Sequence, residues 1–258
     1  MILLFDIGNT NTHLGPANSR RVVKQADVPT AAWLKGTAEK QVVKFTGGAR
    51  LEGAALCSVV PRVTPLVCGM AKRLWQLPCL KLTPGKLRGL GIDYPQPKTI
   101  GPDRLANAVA ARHRFGAPVV VVDFGTAVTF DVVDRAGNYV GGIIAPGLAV
   151  MTDYLHEKTA LLPRIRIREV RSPIGKSTEQ AMLVGAVHGY RGLIRELIME
   201  LKRALKIHRL PVVATGGYAQ LIASKLPEIT AVDSLLTLEG LRLVWQANQS
   251  APVPTRHG

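Results

Sequence analysis

The chain has 258 residues, of which 47% are hydrophobic, 20% charged and 5% aromatic, and 33 Lys and Arg against 18 Asp and Glu give a formal net charge of +15. That length fits one large domain or two of ordinary size, and the scarcity of aromatics leaves core packing to Val, Leu, Ile and Ala, as suits buried strands with helices on both faces. No apolar run approaches the roughly 20 residues that cross a bilayer, and the opening Met1–Asp6 lacks the basic stretch of a signal peptide, so a soluble, cytoplasmic protein is expected.

Met1–Phe5 reads as a buried strand that enters a glycine turn at Asp6-Ile7-Gly8-Asn9-Thr10. Weaker strands are predicted near Thr12–Gly15 and Arg21–Asp27, and a helix over Thr30–Phe45. Ala54–Val60 follows as a strand, Pro61–Leu77 as a helix opened by proline, and Cys79–Thr83 as another strand. Thr83–Thr99 is rich in Gly and Pro and reads as a loop; Pro102–Arg114 reads as a helix closed by Gly116 and Pro118. The pattern then restarts. Val119–Val122 is a core strand ending at Asp123-Phe124-Gly125-Thr126, and Ala127–Val133 and Tyr139–Ile144 flank a turn at Asp134–Asn138. Helices are predicted over Ala149–Thr159, Thr178–Leu205, Tyr218–Leu226 and Leu238–Gln246, with a strand at Pro211–Ala214 and a frayed tail after Asn248. The recurrence of a strand ending in Asp-x-Gly, a domain's length apart, predicts two similar domains, 1–113 and 114–258.

The basic residues are dispersed. The densest group, Arg164-Ile165-Arg166-Ile167-Arg168, alternates like a strand with one solvated face; Lys202-Arg203 with Lys206 is the next. Such a charge serves nucleic acid or phosphorylated small molecules equally, so it decides nothing alone. Cys57, Cys68 and Cys79 have no metal-ligand spacing and read as buried free thiols in a reducing compartment.

A nucleotide kinase must hold a polyphosphate, and glycine-rich turns do so because backbone N–H groups can approach the oxygens closely. A carboxylate at the end of the same strand can hold Mg²⁺, usually through water. Asp6-Ile7-Gly8-Asn9-Thr10-Asn11-Thr12 offers both parts, Asp123-Phe124-Gly125-Thr126 repeats them, and Thr215-Gly216-Gly217 is a third turn placed to meet a nucleoside. A single Asp-x-Gly is an ordinary strand-ending turn; two at domain spacing with a downstream Thr-Gly-Gly point to phosphate binding. There is no P-loop motif and no dinucleotide fingerprint. In Gly101-Pro102-Asp103-Arg104, Pro102 starts a helix and Asp103 sits in its first turn, where the helix dipole should keep the carboxylate ionised and ready to accept a proton. Arg104 could grip an acidic substrate, although a plain helix start with a surface Arg fits the same residues. His13 and Tyr94, read alone, are structural residues.

These motifs, in order, together with Gly141-Gly142-Ile143-Ile144-Ala145-Pro146-Gly147, Gly175-Lys176-Ser177-Thr178 and Leu236-Thr237-Leu238-Glu239-Gly240-Leu241, resemble type III pantothenate kinase from residue 1 to about 248. The resemblance implies an α/β protein of two ribonuclease-H-like domains with a cleft between them, the actin-like ATPase fold. It implies a transferase that uses ATP to phosphorylate pantothenate at the start of coenzyme A biosynthesis. By the same resemblance Asp6, Ile7, Gly8, Asn9, Thr10, Asn11, Thr12, His13 and Thr126 would bind ATP. Asp103 would be the general base, and Tyr94, Gly101, Pro102, Asp103, Arg104 and Thr178 would bind pantothenate, Thr178 from a partner subunit in a homodimer. Asp123 would hold a monovalent cation such as K⁺ or NH₄⁺, and Mg²⁺ would accompany ATP. The stretch Pro16–Val43 is shorter and more basic than the usual pattern of that family. Two alternatives stay open: a kinase of this fold acting on another small hydroxyl or acyl acceptor, and a nucleotide-binding regulatory protein.

Overall fold

Residues Ile2–Ile7 form β1, whose even and odd side chains face opposite sides of a sheet. In the structure, a computed structural model that describes residues 1–249, β1 pairs antiparallel with β2 (Asn11–Ala17), and β2 with β3 (Ala26–Pro29). On its other edge β1 runs parallel to β4 (Gly53–Ser58), and β4 to β5 (Cys79–Lys81). The sheet order is β3-β2-β1-β4-β5. Leu3, Phe5, Ile7, Leu14 and Leu56 bury one face against Trp33 of α1 (Thr30–Leu34), Val42 of α2 (Ala38–Thr46), and Val67 and Met70 of α3 (Thr64–Trp75). A segment with a short strand β6 (Gly91–Ile92) leads to α4 (Pro102–Phe115).

The last helix, α9 (Leu236–Gln249), lies on β1, β2 and β4. It reaches α4 at Gly240, where a Cβ would collide with the Ala106 carbonyl, so only glycine permits this approach. The buried Thr237 hydroxyl donates to Asn107 at 2.8 Å in the same contact. The chain thus divides into two compact units, Met1–Arg114 with the chain from Leu235, and Phe115–Ser234. The sequence reading gave the final helix to the second domain; its apolar face is spent on the first sheet instead.

The second unit repeats the first. β7 (Val119–Phe124) pairs antiparallel with β8 (Ala127–Val133), β8 with β9 (Asn138–Pro146), and β7 runs parallel to β10 (Val212–Thr215), which pairs with β11 (Ala231–Val232). Within the unit the order is β11-β10-β7-β8-β9, the order of the first sheet with each strand in the corresponding place. Burial repeats position by position along β1 and β7, and again along β2 and β8. Val120, Val122, Phe124, Phe130 and Val212 pack on Tyr190, Ile194 and Ile198 of α7 (Tyr190–Leu205). The remaining helices are α5 (Leu148–Lys158), α6 (Thr178–Val184) and α8 (Ala219–Ala223).

Several sequence expectations need correction. The helix expected over Thr30–Phe45 is two, broken at Gly36, which takes φ +71°. Thr178–Leu205 is interrupted by a π-helical turn, Gly185–Gly189. Arg164–Arg168 is no strand: Ile165 is buried as its alternation suggested, but the backbone joins no ladder among the described residues. Cys68 on α3 and Cys79 on β5 form a disulfide, with Cα atoms 5.7 Å apart, so only Cys57 is a free thiol. Fraying after Asn248 was expected for a stretch that, beyond residue 249, lies outside the described residues.

Candidate active site

In the first unit the site grows from the carboxyl ends of two parallel strands. Asp6 is the half-buried position of an otherwise buried β1, and the register sets it beside Cys57 of β4. The Cys57 thiol donates to Asp6 Oδ1 at 3.3 Å. After Asp6 the chain turns tightly, with Gly8 N–H donating to the Asn11 carbonyl at 3.0 Å. A Cβ on Gly8 would lie 3.0 Å from that carbonyl. Thr30 pins the turn from below: its hydroxyl donates to the Gly8 carbonyl at 2.7 Å and its N–H to the Thr10 carbonyl at 2.9 Å. Asn9 and Thr10 are left exposed at the tip.

Asp103 stands in the first turn of α4, preceded by Gly101, where a Cβ would lie 2.5 Å from Asp103 Oδ1. That oxygen is buried and has no hydrogen-bond partner among the described residues. Burial pushes the Asp103 carboxyl above the usual carboxylate range, against the pull of the Arg104 and Asp103 N–H groups and the Arg104 guanidinium. The dipole argument expected a carboxylate held ionised; desolvation outweighs it here. A carboxylate nearer neutrality is the stronger base. Burial, together with the charges of Asp6 and Asp103, also pushes the Cys57 thiol well up, so Cys57 stays a neutral group.

In the second unit three loops converge. Asp123 ends β7, and Thr215 of β10 is its register partner. Gly216 follows with φ +89°, and a Cβ there would lie 2.6 Å from Asp123 Oδ1 and 2.7 Å from the Phe124 backbone. Gly147, after β9, donates its N–H to the Thr126 carbonyl at 3.1 Å, and a Cβ on it would overlap that carbonyl and the one of Gly125. Gly125 and Thr126 are themselves exposed. Only glycine at 147 and 216 lets the loops close this tightly around the Asp123 turn.

The structure therefore brings Asp6 and Asp103 together around Cys57, and groups Asp123 and Thr126 with Gly147 and Gly216. Others stand differently. Ile7 is wholly buried and offers only backbone. Thr12 is fully buried, its hydroxyl bonded to Thr30 at 3.1 Å and to the Trp33 indole N–H at 3.1 Å, so it braces the turn from the core. His13 bonds Asp27 at 2.7 Å through Nδ1. Burial raises Asp27, but bonds from His13 and Gln25 outweigh it and hold Asp27 below its ordinary range. Tyr94 is exposed on the segment before α4. Thr178 is exposed at the first residue of α6, where the Ser177 hydroxyl accepts the Gln180 N–H at 3.2 Å. Sequence reasoning missed Cys57, Gly147 as a loop contact, and β11. A polar Cys-Ser pair ending the apolar strand Gly53–Ser58 was the available signal for the first.

The Lmo2764 protein of Listeria monocytogenes, a candidate N-acetylmannosamine kinase, is similar in fold with a TM-score of 0.55 at 12% identity, over 96% of this chain and 99% of that one. A conserved candidate Baf family transcriptional activator from Campylobacter jejuni gives a TM-score of 0.62 at 20% identity, over 96% and 100% of the two chains. The ethanolamine utilization protein EutJ from Carboxydothermus hydrogenoformans gives 0.53 at 15%, over 94% and 89%. At such identities these likenesses speak for the fold alone, the two-domain actin-like ATPase architecture. Sequence relatives say more. A type III pantothenate kinase from Akkermansia muciniphila is 46% identical over 241 residues, covering 93% of this chain and 96% of that one. Another from Methylacidiphilum infernorum is 44% identical over 246 residues, covering 94% and 87%. The type III pantothenate kinase family model matches residues 2–200, a span holding both strand-end aspartates and the α4 carboxylate. With fold, motif order and near-full-length identity in agreement, the chain belongs to the type III pantothenate kinase family.

Proposed function

We propose that this chain transfers the terminal phosphoryl group of ATP to the hydroxyl of pantothenate, giving 4′-phosphopantothenate and ADP at the start of coenzyme A biosynthesis. One observation carries the reading beyond family membership: the buried, unpartnered Asp103 Oδ1 at the opening of α4, with its carboxyl raised by desolvation. An acceptor hydroxyl satisfies that oxygen by donating to it, and passes it a proton as the oxygen attacks phosphorus. Gly101 leaves the approach to Oδ1 open, since any side chain there would crowd it. Arg104, the next residue, is suited to the pantothenate carboxylate, and Tyr94 and Thr178 complete the acceptor's surroundings.

The turn from Asp6 to Asn11 presents Asn9 and Thr10 to the ATP phosphates, and Thr126 serves the same nucleotide. Thr12, His13 and Ile7 support this turn from behind. Asp6 is a hard oxygen ligand at a strand end and fits Mg²⁺, which would neutralise phosphate charge. Asp123 offers a hard carboxylate oxygen near the end of β7, and Gly216 is the residue that lets the next loop approach it closely. This fits a monovalent cation such as K⁺.

We also take the protein to act as a homodimer. Ile144, Tyr154, Leu161 and Ile174 of the second unit, 65%, 59%, 90% and 71% exposed, are the apolar side chains we assign to that contact. The site of action we infer is the cytoplasm, where ATP is available; no helix among the described residues is long and apolar enough to cross a membrane. The test is ADP formation from ATP with pantothenate, Mg²⁺ and K⁺. The expected result is turnover that requires pantothenate and is lost in Asp103→Asn. Pantothenate-independent turnover, or none with any salt, would refute the reading.

A further inference from the structure

We propose that Cys57 is a positioning residue for nucleotide binding: its buried thiol donates to Asp6 Oδ1 and holds that carboxylate in the one rotamer that receives Mg·ATP. The inference rests on the proposed role of Asp6. Its evidence is geometric. Cys57 and Asp6 are register partners on adjacent parallel strands, so their side chains stand side by side on one face of the sheet. The thiol is fully buried and lies 3.3 Å from Oδ1, within reach of a sulfur donor.

The second unit repeats the arrangement. The residue that stands to Asp123 as Cys57 stands to Asp6 is Thr215, buried at 3% exposure and carrying a hydroxyl where Cys57 carries a thiol. Both strand-end carboxylates are therefore flanked, on the same neighbouring strand, by a small side chain that can donate without bringing charge. Charge matters because the Asp103 carboxylate also acts on Cys57: a cationic donor would draw both carboxylates to itself, and an apolar residue would remove the thiol's hydrogen bond to Asp6. A neutral thiol fixes one carboxylate while leaving the second to the acceptor.

The variants are Cys57→Ser, which keeps a donor, and Cys57→Val, which removes the donor and adds about one methyl group; Cys57→Ala is the reserve if the valine protein does not fold. Binding of a fluorescent ATP analogue is titrated with and without Mg²⁺, and KM for Mg·ATP, KM for pantothenate and kcat are measured. We expect the valine or alanine protein to lose about tenfold in Mg-dependent nucleotide affinity, as for loss of a hydrogen bond to a charged group. Its KM for pantothenate should stay unchanged, and serine should restore nucleotide affinity to within about threefold. Equal Mg-dependent affinity in the donor-less and parent proteins overturns the inference, as does a serine protein no better than alanine. Asp6→Asn separates the two levels. If it leaves Mg·ATP binding intact, the role of Asp6 fails; if it abolishes binding while the donor-less variants bind normally, only the role of Cys57 fails.

Discussion

Asp103→Asn should destroy activity while making the protein more stable, a combination few other substitutions in this chain would produce. The native carboxyl is buried and raised, and its Oδ1 has no partner. Removing a general base from phosphoryl or acyl chemistry typically costs about 10²- to 10⁴-fold in rate, or about 2.7–5.4 kcal/mol in the barrier at 1.36 kcal/mol per decade. The stability effect has the opposite sign. Between the ordinary Asp pKa of about 3.9 and its raised native value, the folded protein holds a proton that the unfolded chain has released. Stability therefore falls as pH rises through that window, and the full penalty persists above it. Asparagine carries no charge to desolvate, so its stability lacks this decline. Each pKa unit by which burial raises the native carboxyl is worth about 1.4 kcal/mol; recovering about 1 kcal/mol raises Tm by about 2–4 °C in a protein of this size. The assays are steady-state ADP release and thermal unfolding of both proteins at pH 4, 6 and 8, with the Tm gap expected to widen upward in pH. The parent's kcat/KM should fall on the acid side with a midpoint above 3.9. A variant that keeps more than a tenth of the activity, or that is less stable than its parent at pH 8, would refute this account of Asp103.

Gly216→Ala sets a Cβ against Asp123 and the Phe124 backbone at φ +89°. It should cost about 1–3 kcal/mol in urea unfolding and abolish any K⁺ dependence of nucleotide binding, whereas Gly217→Ala, where a Cβ meets nothing, should do neither. Gly240→Ala drives a methyl into the Ala106 carbonyl and should destabilise by about 1–3 kcal/mol or more, with hydrogen exchange quickened in β1 and β4 before β7 and β10. Reducing the Cys68–Cys79 disulfide, which closes a loop of 11 residues, should lower stability by about 2–3 kcal/mol by the loop-entropy estimate, and Cys68→Ser should become insensitive to reductant.

Much of the fold could be read directly from residues. Apolar runs that end in Asp-x-Gly are buried strands entering turns, and both β1 and β7 are such runs. Asp6 and Asp123 stand near strand ends and Asp103 in the first turn of α4, the places their motifs predict. What escaped is what only the third dimension supplies. Cys57 matters through a neighbour 51 positions away, and the Cys-Ser pair that ends its strand is only a faint local sign. The Cys68–Cys79 pair joins a helix to an edge strand that spacing does not relate. Alternation in Arg164–Arg168 correctly foretold which side chains are buried, but a strand also needs a partner edge, which periodicity cannot reveal. Thr12 looked like a phosphate donor by type; Thr30 and Trp33 claim its hydroxyl first.

The path of the chain through its two units has a consequence for biosynthesis. The second unit is continuous, from Phe115 to Ser234, whereas the first is built from both ends of the chain. On the ribosome, the first sheet waits for α9, made after the whole of the second unit, to cover β1, β2 and β4. The inner segment can finish folding while the outer one still exposes an apolar face, which makes the interval before α9 emerges the one in which misassociation threatens most.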